Sequence, residues 1–201
     1  MSHQLLNCVS PDTMAEHLVV QPANGGSLRT SLTAPAPYCG PTEVFEPSIV
    51  AATYRFRAEV WQGEGFTVNP LPDEHASHAR HWIVTRGETL VGAARLSMHN
   101  TADDTPAYED IRHLNISANQ PFAFLSHLVV CPSARKHGLG RLLDTVRVEA
   151  ARAAGVNLIL GRFYEYRVKG LIALGFRPVA EFQNPKIGNR RVLIMELHLA
   201  G

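Results

Sequence analysis

The densest chemistry in the chain lies between Leu128 and Leu143, where an apolar run (Leu128, Val129, Val130) passes through Cys131 and Pro132 into Arg135-Lys136-His137-Gly138-Leu139-Gly140-Arg141. This R-x-x-G-x-G turn opens a stretch with helical periodicity. The first amides of a helix have no intrahelical acceptor and carry partial positive charge, so such a turn receives phosphate well. Gly138 and Gly140 have no side chain to hold an anion away from those amides. Arg135, Lys136, His137 and Arg141 add positive charge around them. The turn is not a P-loop, because the GK[ST] ending is missing, and it does not follow GxGxxG in a leading βαβ unit.

Two other groups of reactive side chains have blander readings. His75, His78 and His81 stand three apart behind Asp73 and Glu74, a run that could hold a metal if it were helical. It ends in a strand-forming segment and has no zinc-site spacing, so it reads as a polar, solvated connection, and no metal is expected. Cys8, Cys39 and Cys131 are scattered, which argues against a disulfide framework or a CxxC site. Cys131 reads as a buried thiol.

The elements that must carry the turn are legible from hydrophobic period. At 201 residues, 45% hydrophobic and 18% charged, the chain suits one domain with a substantial core. A net charge of +1 gives no electrostatic reason to expect nucleic acid or an anionic membrane as partner. No apolar run approaches the ~20 residues needed to span a bilayer. Met1–Cys8 lacks the features of a secretion signal, so a cytoplasmic location is the expectation. Residues 1–42, rich in Ser, Thr, Pro, Gly and Asn, read as a loosely ordered or partner-docking arm, with one short element near Met14–Val20; residues 43–201 read as the folded domain.

Within that domain a helix capped by Ser48 runs to Gly63, and a hairpin joins His81–Thr85 to Leu90–Met98 through Arg86-Gly87-Glu88. A polar stretch, His99–Gln120, carries a short helix at Tyr108–His113. Phe122–Val130 is an apolar strand and Gly140–Ala154 an amphipathic helix ended by Gly155. Val156–Leu160, Arg167–Leu174, Phe176–Phe182 and Arg191–Leu199 read as strand, helix, strand and strand. The order describes an α/β fold, a mixed sheet with helices packed on it.

The strand–Pro–R-x-x-G-x-G–helix pattern resembles the coenzyme A signature of the GNAT N-acetyltransferase superfamily. Ala173-Leu174-Gly175-Phe176 is similar to the "LGF" turn after that family's last helix, and the hairpin Trp82–Met98 resembles its opening meander. The resemblance covers about Pro47–Leu199. It implies the GNAT fold, a mostly antiparallel mixed sheet splayed at the cofactor site with helices on both faces. It implies an acyl-CoA-dependent N-acetyltransferase, with acetyl-CoA or another acyl-CoA as co-substrate. A small-molecule or peptide amine would attack the thioester directly, and a homodimer is compatible with the family's habits.

Carried onto this chain, the resemblance places the pantetheine arm along Leu128, Val129 and Val130 and the pyrophosphate on Arg135, Lys136, His137, Gly138, Leu139, Gly140 and Arg141. The family's usual acid, a tyrosine five residues before the Phe of the LGF turn, is Leu171 here. Tyr164 is the first substitute, with Tyr166 behind it. His127, in the strand beside the splay, is the candidate base, since its side chain titrates near neutrality. Strand alternation puts Ser126 on the opposite face, and Glu59 is a weaker alternative for contacting a cationic acceptor. A second branch is also similar, the autoinducer and N-acyl amino acid synthases: Arg57-Ala58-Glu59-Val60-Trp61 and Arg95 match its pattern, whereas Phe124 and His127 replace its Glu and Arg. That leaves open a longer chain delivered by acyl-CoA or carrier protein. A non-catalytic acyl-CoA-binding module is the reading from another class.

Overall fold

The computed structural model describes residues 36–66, 68–114, 121–184 and 188–199. Strands β1 (Tyr38–Val44), β2 (Arg80–Arg86), β3 (Thr89–His99), β4 (Phe122–Val130), β5 (Leu158–Tyr164), β6 (Arg177–Asn184) and β7 (Arg190–His198) form one sheet in the order β1-β2-β3-β4-β5-β7-β6. Only the β4–β5 pair is parallel. The helices are α1 (Pro47–Gly63), α2 (Tyr108–Ile111), α3 (Leu139–Ala153) and α4 (Val168–Ile172). This is the mixed sheet that the element order describes, mostly antiparallel as the family resemblance implies.

Both faces of the sheet are covered, and alternation along single strands shows how. On β4, Phe122 and Phe124 join Ala107 and Ile111 around α2 in one apolar cluster, while Ala123 and Leu125 join Leu143 and Val148 of α3 in another. On β3, a Cβ at Gly92 would lie 3.4 Å from Leu143 Cδ1, so that face belongs to α3. Arg95, an odd number of residues along and so on the other face, receives α1 through Tyr54. Leu125, Leu143, Ile159 and Leu171 are fully buried, and truncating any of them to alanine costs ~2–5 kcal/mol.

The departures from expectation are local. Helix α1 starts two residues early, with Pro47 in its first turn and Glu46 at the N-cap; the Ser48 hydroxyl donates to the Glu46 carboxylate instead of capping. Strand β1 begins at Tyr38 and so crosses the expected arm boundary at 42; a register shift at Cys39–Thr42, where Gly40 has φ 104°, hides its period. The rest of the expected arm, including Met14–Val20 and Cys8, lies outside the described residues. No described helix is long and apolar enough to cross a membrane.

Candidate active site

Strands β4 and β5 pair through Ala123↔Ile159, Phe124↔Leu160 and Leu125↔Gly161, then part, β4 continuing to Val130 and β5 to Tyr164. On its other side β4 carries a bulge: the register passes from Arg95↔Ser126 to Ala93↔Val129, so His127 and Leu128 together oppose Ala94. His127 takes φ 53°, in the left-handed region, where a non-glycine residue stores modest strain and where bulges re-aim side chains. Arg147, fully buried in α3, donates from Nη1 to the carbonyls of Arg95 (3.0 Å) and Ser126 (3.1 Å) beside the bulge. Asp144 pairs with Arg147 and also with Arg167. Burial lowers the Arg147 pKa to about 10, which leaves it charged at neutral pH.

The glycine turn sits at the open end of β4. Pro132–Ala134 form one 3-10 turn, Lys136 has φ 67°, and Gly138, at φ 79°, is the N-cap of α3. The first helical bond runs from Leu142 N to Gly138 O at 3.0 Å, so the amides of Leu139, Gly140 and Arg141 have no intrahelical acceptor. A Cβ at Gly138 would meet nothing within 4 Å, and one at Gly140 would lie 4.0 Å from Leu128 Cδ2. Lys136, His137 and Arg141 are exposed and Leu139 is buried. The His137 ring lies 5.4 Å from that of Tyr38. Arg135 is engaged: its Nε donates to Val130 O at 3.1 Å and its guanidinium pairs with Glu64, tying the turn to β4 and to the end of α1.

A cavity of about 510 Å³ lies at the divergence of β4 and β5, lined by Ser126, His127, Leu128 and Tyr164 together with Arg57 and Asp73. His127 and Tyr164 therefore share one cavity. Ser126 shares it too, because the bulge breaks the alternation expected from the sequence; its Oγ accepts a 2.8 Å bond from Arg95 Nε. Glu59 is exposed and does not line the cavity. Leu171, in the position of the expected family tyrosine, is fully buried in the core.

The environments of His127 and Tyr164 push their protons in useful directions. His127 Nε2 is 3.6 Å from Asp73 Oδ2, and the Tyr54 ring stands edge-on to it at 5.1 Å. Burial, followed by the Arg95 and Arg57 charges, holds the imidazole well below its ordinary 6.5, so it is neutral at neutral pH and able to accept a proton. Tyr164 packs between Trp61 (5.4 Å) and Tyr166 (stacked, 5.8 Å). Burial raises its pKa, keeping the phenol protonated as a donor.

Asp73 and Tyr54 belong to the candidate site, and periodicity does not reveal them. Asp73 Oδ1 accepts from Arg95 Nη1 at 2.6 Å, from Tyr54 OH at 3.3 Å and from the His75 amide at 3.1 Å. The available signal was Arg95, a charge inside the apolar run of β3, which needs a buried partner. Among the described residues, Arg57 Nη1 and Arg95 Nη2 are buried without a hydrogen-bond partner. Burial, then the Arg95 charge, lowers the Arg57 pKa.

The acetyltransferase (GNAT) family model matches residues 47–173. No curated protein matches the sequence. Among solved structures, the ribosomal-protein-alanine N-acetyltransferase of Escherichia coli superposes with a TM-score of 0.55 at 17% identity, over 80% of this chain and 96% of that one. Arabidopsis thaliana NAA60, solved in complex with acetyl-CoA, gives 0.59 at 13% identity, over 82% and 100% of the two chains. FeeM, an N-acyl amino acid synthase from uncultured soil microbes, gives 0.57 at 14% identity, over 79% and 92%. At these identities the likeness is one of fold.

Proposed function

The chain belongs to the acetyltransferase (GNAT) family, and from that premise we propose that it transfers an acyl group, acetyl in the first instance, from acyl-coenzyme A to an amine seated in the β4–β5 cavity. The observation that carries this is the parting of β4 and β5 after Leu125↔Gly161, beside unpaired amides at the start of α3. The open side of Gly138 leaves those amides room to take a pyrophosphate. Leu128, Val129 and Val130 would line the pantetheine arm, and Arg135 to Arg141 would surround the pyrophosphate. The bound acyl-CoA supplies a thioester. The acceptor nitrogen bonds to its carbonyl carbon, the carbon–sulfur bond breaks, the nitrogen's surplus proton goes to neutral His127, and Tyr164 gives a proton to the departing sulfur. Exchange with water then restores both side chains, so the products are an amide and free thiol.

The acceptor in this reading carries an anionic group beside its amine, as an amino acid does. What supports it is Arg57, which lines the cavity and whose guanidinium has a nitrogen, Nη1, without a hydrogen-bond partner among the described residues. A carboxylate would satisfy N–H groups that are costly to leave unpaired.

Thiol release from acetyl-CoA, measured with amino acids and with their decarboxylated amines, tests both parts. The expected result is release with amino acids, at least about tenfold lower kcat/KM for the decarboxylated partners, and loss of that difference in Arg57→Met. Acetyl-CoA binding with no release to any amine would favour a non-catalytic binding module instead.

A further inference from the structure

We propose that His75, His99 and Asp104 form a site for one divalent transition-metal ion of the zinc class, outside the acyl-transfer cavity. The three residues come from the turn before Ala76–His78, the end of β3 and the 3-10 turn Ala102–Asp104. Their potential ligand atoms all lie within 4.8 Å of one another. None of the three lines the cavity.

His99 is the observation that points to a ligand. It is 3% exposed and packs by Phe122 and Phe124. Its Nε2 is 2.7 Å from Ser97 Oγ, while its buried Nδ1 makes no well-formed hydrogen bond among the described residues and faces the Asp104 carboxylate. A neutral imidazole that donates through Nε2 to Ser97 presents a lone pair at Nδ1, and a ring nitrogen held by a neighbouring group is the usual companion of a metal-bound one.

The surrounding distances suit a small ion. Asp104 Oδ2 lies 3.5 Å from His99 Nδ1, too long for a strong hydrogen bond but close to the ~3.3 Å edge of a tetrahedron with ~2.0 Å bonds. His75, on a turn, closes the set by swinging inward by up to about 1.5 Å. The competing contact is Glu74, whose carboxylate is 3.5 Å from His75 Nε2 but whose side chain is 88% exposed. Two imidazoles and one carboxylate favour zinc or cobalt over calcium or magnesium, which prefer all-oxygen shells. His78, named with His75 and His81 as a run in the sequence, is not part of this set; His81 instead contacts Ala76 O at 3.2 Å.

The consequence is positional. The His75 amide donates to Asp73, which stands beside His127, so an ion on His75 would fix the turn that carries the cavity's carboxylate. The test uses the full chain, stripped by chelator and titrated with Zn²⁺ by calorimetry and with Co²⁺ by visible absorption. One equivalent should bind, with the intense bands of tetrahedral cobalt. Zinc at a hundredfold excess over Kd should raise Tm by about 5–10 °C. His75→Ala and Asp104→Asn should each weaken binding at least about tenfold, while His78→Ala leaves it within about twofold. These positions are less buried than His99, so the test does not depend on the folding of a core variant. No saturable binding by the parent, or equal binding by His75→Ala and Asp104→Asn, overturns the proposal. Because the readout is metal, that failure leaves the acyl-transfer reading untouched.

Discussion

His127 Nε2 and Asp73 Oδ2 stand 3.6 Å apart, the histidine on a strand bulge and the aspartate on the turn before β2, with the other Asp73 oxygen bound by Arg95. The pair places a neutral imidazole at the cavity and holds a carboxylate against it. His127→Ala should lower kcat at least about tenfold with unchanged affinity for acetyl-CoA. Steady-state kinetics beside calorimetry separates the two quantities, and unaltered turnover would remove His127 from the reaction.

Asp73 has a second role. Its partner Arg95 is fully buried, whereas the Asp73 side chain is 34% exposed. Asp73→Ala leaves a buried guanidinium without its anion, which should cost about 2 kcal/mol, at the low end for such pairs because solvent screens the aspartate. Urea unfolding measures the loss; a change under about 0.5 kcal/mol would mean that water serves Arg95 equally well.

Arg147 holds the bulge from the other face through the Arg95 and Ser126 carbonyls. Arg147→Met strands both carbonyls and leaves Asp144 with Arg167 alone among its two arginines. The expected loss is about 3–5 kcal/mol by denaturant unfolding. Arg147→Lys should rescue only part of it, since one ammonium lacks the fork that spans carbonyls and carboxylate together.

His81 and His99, both buried, and the half-buried His127 have pKa values pushed down chiefly by desolvation. Each stays neutral in the fold while its unfolded counterpart charges below about pH 6.5. As pH falls through that value the unfolded chain binds more protons, and stability should drop by about 1.4 kcal/mol per pH unit for each histidine until its folded pKa is reached. His81→Gln should reduce the slope of unfolding free energy in the range just below pH 6.5. An unchanged slope would show that His81 charges freely in the fold. By the same depression at His127, the titration of this base should put no inflection near pH 6.5 into kcat measured with saturating acceptor.

Much of this was visible in the residues, and the rest was hidden for physical reasons. Phe122–Val130 is a strand with the bounds its apolar run suggests, and α3 begins one residue before the expected Gly140 because Gly138 caps it. Strand β1 has no legible period because Cys39-Gly40-Pro41 interrupts it. Ser126 and His127 share a cavity against strict alternation because one extra residue in β4 resets the pleat, and a bulge has no fixed sequence sign. Asp73 and Arg95 meet across the β2–β3 hairpin, a pairing that only the folded chain makes.

Acyl-CoA binding at the α3 turn is the step on which acyl transfer depends, and calorimetric titration with acetyl-CoA reads it in the parent chain and in Gly138→Glu, followed by longer acyl-CoAs. The substitution puts a carboxylate on the open side of the α3 turn, at φ 79°, so unfolding of the variant in urea is followed in parallel. The parent should bind at micromolar concentration, and a folded Gly138→Glu at least about a hundredfold more weakly. Equal binding by the two proteins, or no binding of any acyl-CoA by the folded parent, would contradict a coenzyme A site at this turn.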